Sequence, residues 1–111
     1  WRYYFSHGGS ATTGAGHGAE VPFVLGTVEQ CQCLNKPPNA VDRAIERRVG
    51  DRWASFATTG KPAGELAWEP DNRVRGWALE IGDEDAARPG FMTARLNAFI
   101  TTLNLLGRQS R

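Results

Sequence analysis

The chain has 111 residues, 41% of them hydrophobic, and thirteen Lys and Arg against twelve Asp and Glu leave a formal charge of +1. That is enough chain for one domain with a core of its own. Charges mixed along the sequence exclude the electrostatic footprint of a nucleic-acid or anionic-membrane binder, and no apolar run approaches the ~20 residues of a membrane span.

The opening residues, Trp1-Arg2-Tyr3-Tyr4-Phe5, read as a strand already under way, and the single methionine is Met92. The chain is therefore expected to be a piece of a larger protein. The first residues lack the features of a signal peptide, and the compartment stays open. The aromatic run predicts a strand over 2–6, buried in a sheet whose other strands lie outside this sequence. His7 is read as an exposed strand-end residue. Small and polar residues through Gly14 predict a surface loop leading to His17, and a strand end feeding a loop is where α/β enzymes place catalytic groups.

His17 stands between Gly16 and Gly18. Imidazole is the side-chain type suited to moving protons near neutral pH. Glycines beside it allow positive φ and close approach. Glu20, Pro22 and Phe23 predict a short, partly buried continuation that fixes this loop from behind. His17 is thus the candidate catalytic base. No nucleophile or acid partner for it is evident in the chain.

A loop over 27–39 holds Cys31 and Cys33. Their C-x-C spacing suits neither metal nor redox chemistry, and a local disulfide would be strained. Two free thiols are expected, or one bonded to a cysteine outside this sequence. A zinc site from His7, His17, Cys31 and Cys33 fits no compact ligand spacing, so no metal and no cofactor are predicted.

Asn39 is a plausible N-cap, with Asp42 near the positive end of the helix dipole. Val41, Ile45, Val49, Trp53 and Phe56 form one apolar stripe of a helix over about 40–58, with Asp42, Arg43, Glu46 and Arg47 facing water. Gly50 weakens this helix unless something packs closely there. Gly60 and Pro62 end it. Trp68 anchors the following loop, with a turn at 69–72. Residues 77–81 predict a short strand with one buried face, and 82–89 an acidic, irregular, exposed segment. Met92, Leu96, Phe99, Ile100, Leu103 and Leu106 place one stripe on a final helix over about 92–106, closed by Gly107.

Taken together these residues resemble the type-B carboxylesterases, cholinesterases among them, which are α/β-hydrolases. His17-Gly18-Ala19-Glu20 followed by Val21-Pro22-Phe23-Val24-Leu25-Gly26 is similar to that family's histidine motif. Tyr3-Tyr4-Phe5-Ser6-His7 is similar to the strand entering it. Trp53-Ala54-Ser55-Phe56-Ala57-Thr58-Thr59-Gly60-Lys61-Pro62 is similar to the family's W-x-x-F-A-x-x-G-x-P, and Trp68-Glu69-Pro70 lies where the family carries a Trp-Pro pair.

The resemblance implies an α/β fold class, the C-terminal portion of an α/β-hydrolase: strand, histidine loop, long helix, short strand and final helix, incomplete on its own. The whole of 1–111 would then be one part of a single catalytic domain. His17 would be the base of a serine-hydrolase triad acting on a small-molecule carboxylic ester, with nucleophile and acid upstream of Trp1, in the chain order the fold uses. For Glu20 the resemblance implies a carboxylate in the hydrogen-bond network behind the site; a surface or capping acid, or the triad acid itself, are the alternatives. Cholinesterases carry an aromatic at the position of Ala19, and alanine offers no cation-π face, which implies neutral esters. The partners implied are the ester and, as cholinesterases pair through a helix here, a homodimer; no nucleic acid is expected. The competing function is a catalytically inactive adhesion domain of the same fold.

Overall fold

Asn39 sets where the longest element begins. Its side chain accepts hydrogen bonds from the backbone N–H groups of Val41 (2.7 Å) and Asp42 (3.2 Å), while its own N–H donates to Asp42 Oδ2 at 2.8 Å. This reciprocal box satisfies donors that a helix start leaves open. In the computed structural model, which describes residues 1–8, 14–32, 34, 36–72 and 75–109, the helix begun here runs Ala40–Thr59 and is called α2. Gly60 ends it in the left-handed region, its N–H bonded to Phe56 O at 2.8 Å.

Ahead of α2 lie strand β1, Tyr3–Phe5, and the short helix α1, Val21–Leu25; after it come β2, Ala78–Ile81, β3, Ala86–Arg88, and helix α3, Thr93–Gln109. The sheet has the order β1-β2-β3, with β1 parallel to β2 and β2 antiparallel to β3. Tyr3 pairs with Leu79 and Phe5 with Ile81. The core gathers Phe5, Phe23, Val28, Ile45, Val49, Trp68, Trp77, Leu79 and Ile81. Each large aliphatic or aromatic side chain fully buried there contributes about 1.5–3 kcal/mol.

Several expectations are corrected. The opening strand finds its neighbour, β2, inside this sequence, and Tyr3 and Tyr4 stay exposed. Segment 82–89 is not irregular throughout, because β2 takes a second partner there; Gly82 is buried and so is the Asp85 side chain. Asp42 does not face water, being 4% exposed, and with Ile45, Val49 and Arg52 it forms the buried side of α2, while Val41 and Phe56 lie exposed. Gly50 has open space around it, so no close packing explains it. Residues 69–72 do not form the expected turn; Asn72 O accepts from Gly76 N–H at 3.1 Å.

Cys31 is disulfide-bonded rather than a free thiol, while Cys33 lies outside the described residues. The chain turns tightly into Cys31, Gln30 N–H donating to Thr27 O and Cys31 N–H to Val28 O. Helix α3 continues through Gly107 to Gln109. Its stripe of Leu96, Phe99, Ile100, Leu103 and Leu106 is exposed, and it lacks the packing that joins α1 to α2 and the strands to one another.

Candidate active site

His17 lies in a turn built by its glycine neighbour. Ala19 N–H donates to Gly16 O at 3.2 Å, which makes Gly18 the third residue of a four-residue turn. Gly18 holds φ +71°, a left-handed value suited to glycine in that position. Gly16 keeps ordinary φ and has open space around it, so only Gly18 of the two flanking glycines is conformationally required. The imidazole at the second position of the turn is exposed. Among the described residues it meets no hydrogen-bond partner, so its geometry is that of a donor and acceptor presented outward. A shallow groove of about 360 Å³ adjoins the turn, lined by Gly18, Val21, Pro22, Thr27, Gln30 and Cys31.

Helix α1 anchors the turn from behind. Pro22 occupies its first turn, where a missing N–H costs nothing, and Pro22 and Phe23 are buried. Val21 N–H donates to Gly18 O, and Phe23 and Val24 N–H to Glu20 O. Glu20 is half-buried and faces β1, its Oε1 accepting from the Tyr3 hydroxyl at 3.1 Å. Burial pushes the Tyr3 phenol up, and the Glu20 carboxylate adds to that shift by charge and by hydrogen bond. Tyr3 also meets Trp53 and Trp68 edge-on, at 5.2 and 6.0 Å between ring centroids. Glu20 is thereby tied to the aromatic cluster of Tyr3, Trp53 and Trp68, and no hydrogen bond joins it to His17.

The other histidine is not the exposed strand-end residue that its position implies. His7 is 8% exposed; its Nδ1 lies 2.6 Å from Asp83 Oδ1 and its Nε2 2.7 Å from Asp42 Oδ1. Asp42 is buried and Asp83 largely exposed. A second polar pair lies further along α2, where buried Arg52 donates to Asp85 Oδ2 at 2.9 Å and to Leu66 O at 3.0 Å. Both groups escape a sequence reading. Asp42 and Arg52 continue the spacing of Ile45 and Val49 around the helix, and that periodicity was their only signal. Among the described residues no cluster of His, Cys, Asp or Glu could hold a metal ion, and no helix is long and apolar enough to cross a membrane.

A parallel β1–β2 pair, two helices between its strands and a histidine turn in the loop that leaves β1 define a small α/β unit. Solved structures that superpose on this unit include α/β-hydrolase esterases. A thermophilic PNB esterase superposes on 86% of this chain with a TM-score of 0.76 at 19% identity. The carboxylesterase EST55 of Geobacillus stearothermophilus does so over 86% with a TM-score of 0.73 at 26% identity. An esterase from Clostridium hathewayi described as hydrolysing aliphatic aromatic polyesters covers 86% at 0.70 and 18% identity. The chain spans only 20%, 21% and 19% of those three structures. Among curated proteins no match is found. The family model described as "Carboxylesterase family" matches residues 1–99. The chain belongs to that family, in its type-B branch.

Proposed function

We propose that this chain is the C-terminal part of a single carboxylesterase catalytic domain and that His17 is the base of its triad. The observation that carries the reading is the exposed imidazole at the second position of the Gly16–Ala19 turn, in the loop leaving the carboxyl end of β1. Family membership supports ester hydrolysis as the chemistry.

In this reading a serine contributed by the rest of the domain attacks the ester carbonyl as His17 takes its proton. The tetrahedral intermediate collapses, and His17 returns the proton to the leaving alcohol. Water then repeats the sequence on the acyl-enzyme. A carboxylate from the rest of the domain holds the His17 tautomer. Glu20 is committed to the Tyr3 hydroxyl, which favours its standing behind the site over acting as that acid. Ala19 leaves the wall beside His17 without an aromatic face, which favours neutral esters over cationic ones.

The test is His17→Ala in the full-length protein, assayed on p-nitrophenyl acetate. A triad member acting as part of a unit costs on the order of 10⁶ in kcat, or ~8 kcal/mol of barrier. A loss of tenfold or less would make His17 a structural residue and end the proposal.

A further inference from the structure

The proposed chemistry makes no use of His7, the most constrained ionisable side chain near the loop that carries His17. It is the second residue beyond β1, and Ser6 before it is fastened to β2, its N–H donating to Ile81 O at 2.9 Å. Just after it the loop is pinched at its base. Gly8 approaches Gly14 so closely that a Cβ on Gly8 would stand 3.0 Å from Gly14 Cα, so a larger residue there would push the two strands of the loop apart. On the far flank, Phe23 of α1 sets its ring edge-on to His7 with centroids 5.5 Å apart. His7 therefore touches both ends of the segment that presents His17.

What holds His7 comes from outside that segment. Asp42 reaches it from the first turn of α2, and Asp83 from the turn between β2 and β3. Asp42 is itself fixed, its second oxygen accepting from Asn39 N–H at 2.8 Å. A neutral imidazole donates from one nitrogen only, and carboxylates only accept. Both contacts are N–H···O hydrogen bonds together when each ring nitrogen carries a proton, and the ring is then a cation between two anions. At 2.6 and 2.7 Å both contacts are short, and each fixes one ring nitrogen on a carboxylate oxygen.

We infer that His7, clamped by Asp42 and Asp83, is a positioning residue for His17: it pins the base of the histidine loop to α2 and to the β2–β3 turn. The inference rests on His17 being the triad base. Proton transfer needs that imidazole held to within a fraction of an ångström, and a misplacement of about 1 Å can cost on the order of 100-fold. Loosening the clamp is therefore expected to lower turnover while leaving ester binding nearly as it was.

The experiment is a double-mutant cycle in the full-length protein with p-nitrophenyl acetate. His7→Gln is expected to lower kcat about 10- to 100-fold with KM changed less than about twofold. In a His17→Ala background the same substitution is expected to lower kcat no further, because a residue acting only through His17 has nothing left to act on. Losses that multiply, or an unchanged kcat in the single variant, would overturn the inference. Should His7→Gln fail to fold, Asp83→Asn removes one charge of the clamp at an exposed side chain. It is expected to reduce kcat about 3- to 10-fold with the same lack of additivity, and no reduction would overturn the clamp. If His17→Ala itself costs tenfold or less, the triad reading fails and this inference with it. If His17→Ala costs the full factor and neither clamp variant costs anything, this inference alone fails.

Discussion

At the scale of single residues the structure depends on carboxylates whose partners come from elsewhere in the chain. Glu80 on β2 shows the principle outside the site. The Ser6 hydroxyl and the Arg88 guanidinium hold its carboxyl below the usual carboxylate range, against the opposing effect of burial. A folded-state value below the unfolded one means that Glu80 stabilises the fold above the ordinary carboxylate range, near pH 4.3, and that this contribution is lost as the pH falls through the folded value. Arg88 is half exposed, so the gain is under about 1 kcal/mol. Glu80→Gln is accordingly expected to lower the melting temperature of the full-length protein near neutrality. The difference from the parent should close on acidification, and calorimetry across pH would check it. A difference that grows as the pH falls would contradict the assigned partners.

Among the elements, α2 connects the site to the core. Its N-terminal box holds Asp42, and Asp42 in turn holds His7, so one carboxylate both caps a helix and anchors the base of the candidate catalytic loop. An N-cap replaced by alanine ordinarily costs about 0.5–2 kcal/mol. Asn39→Ala is expected at the upper end, about 2 kcal/mol, since Asp42 loses its local support while still required by His7. Asn39→Asp keeps the accepting oxygen and should recover most of the loss. Denaturant unfolding of the two variants compares them directly, and equal stability for Asn39→Ala and the parent would remove the box from this account. Next to α2, the short helix α1 shows how little chain is needed to aim a side chain. Buried Pro22 and Phe23 lock it in place and Gly18 turns the backbone into it.

For the whole molecule the decisive feature is surface left exposed among the described residues. Strand β1 has β2 on one side and no strand on the other among the described residues, which leaves backbone donors and acceptors open to pairing. Leu96, Phe99, Ile100, Leu103 and Leu106 on α3 add an apolar stripe of the kind that marks an interaction face. The chain spans about a fifth of the esterases it superposes on; if it is part of a larger catalytic domain, as proposed above, the remainder would cover this stripe, and in isolation a second copy would bury it. The chain on its own is therefore expected to associate at micromolar concentration and to show no p-nitrophenyl acetate hydrolysis above background. Sedimentation velocity together with that assay checks both. A cooperative unfolding monomer, or turnover that His17→Ala abolishes, would contradict them.

How much of this was legible beforehand follows the range of the forces involved. Sequence by itself determined what local chemistry decides: the start of α2 at Asn39 and its end at Gly60, the stripe of α3, the strand at Tyr3–Phe5, and the glycine-flanked His17 with its family likeness. Each depends on residues a few positions apart, through capping, periodicity or backbone freedom. Tertiary structure alone decided the rest. His7 is buried because Asp42 and Asp83 reach it from 35 and 76 residues away. Likewise β3, a bare Ala-Ala-Arg, is a strand only because β2 has a free edge to offer it. Periodicity places Asp42 and Arg52 on the buried side of α2, but no local pattern announces the partner of a buried charge or of an edge strand, because the fold brings that partner there.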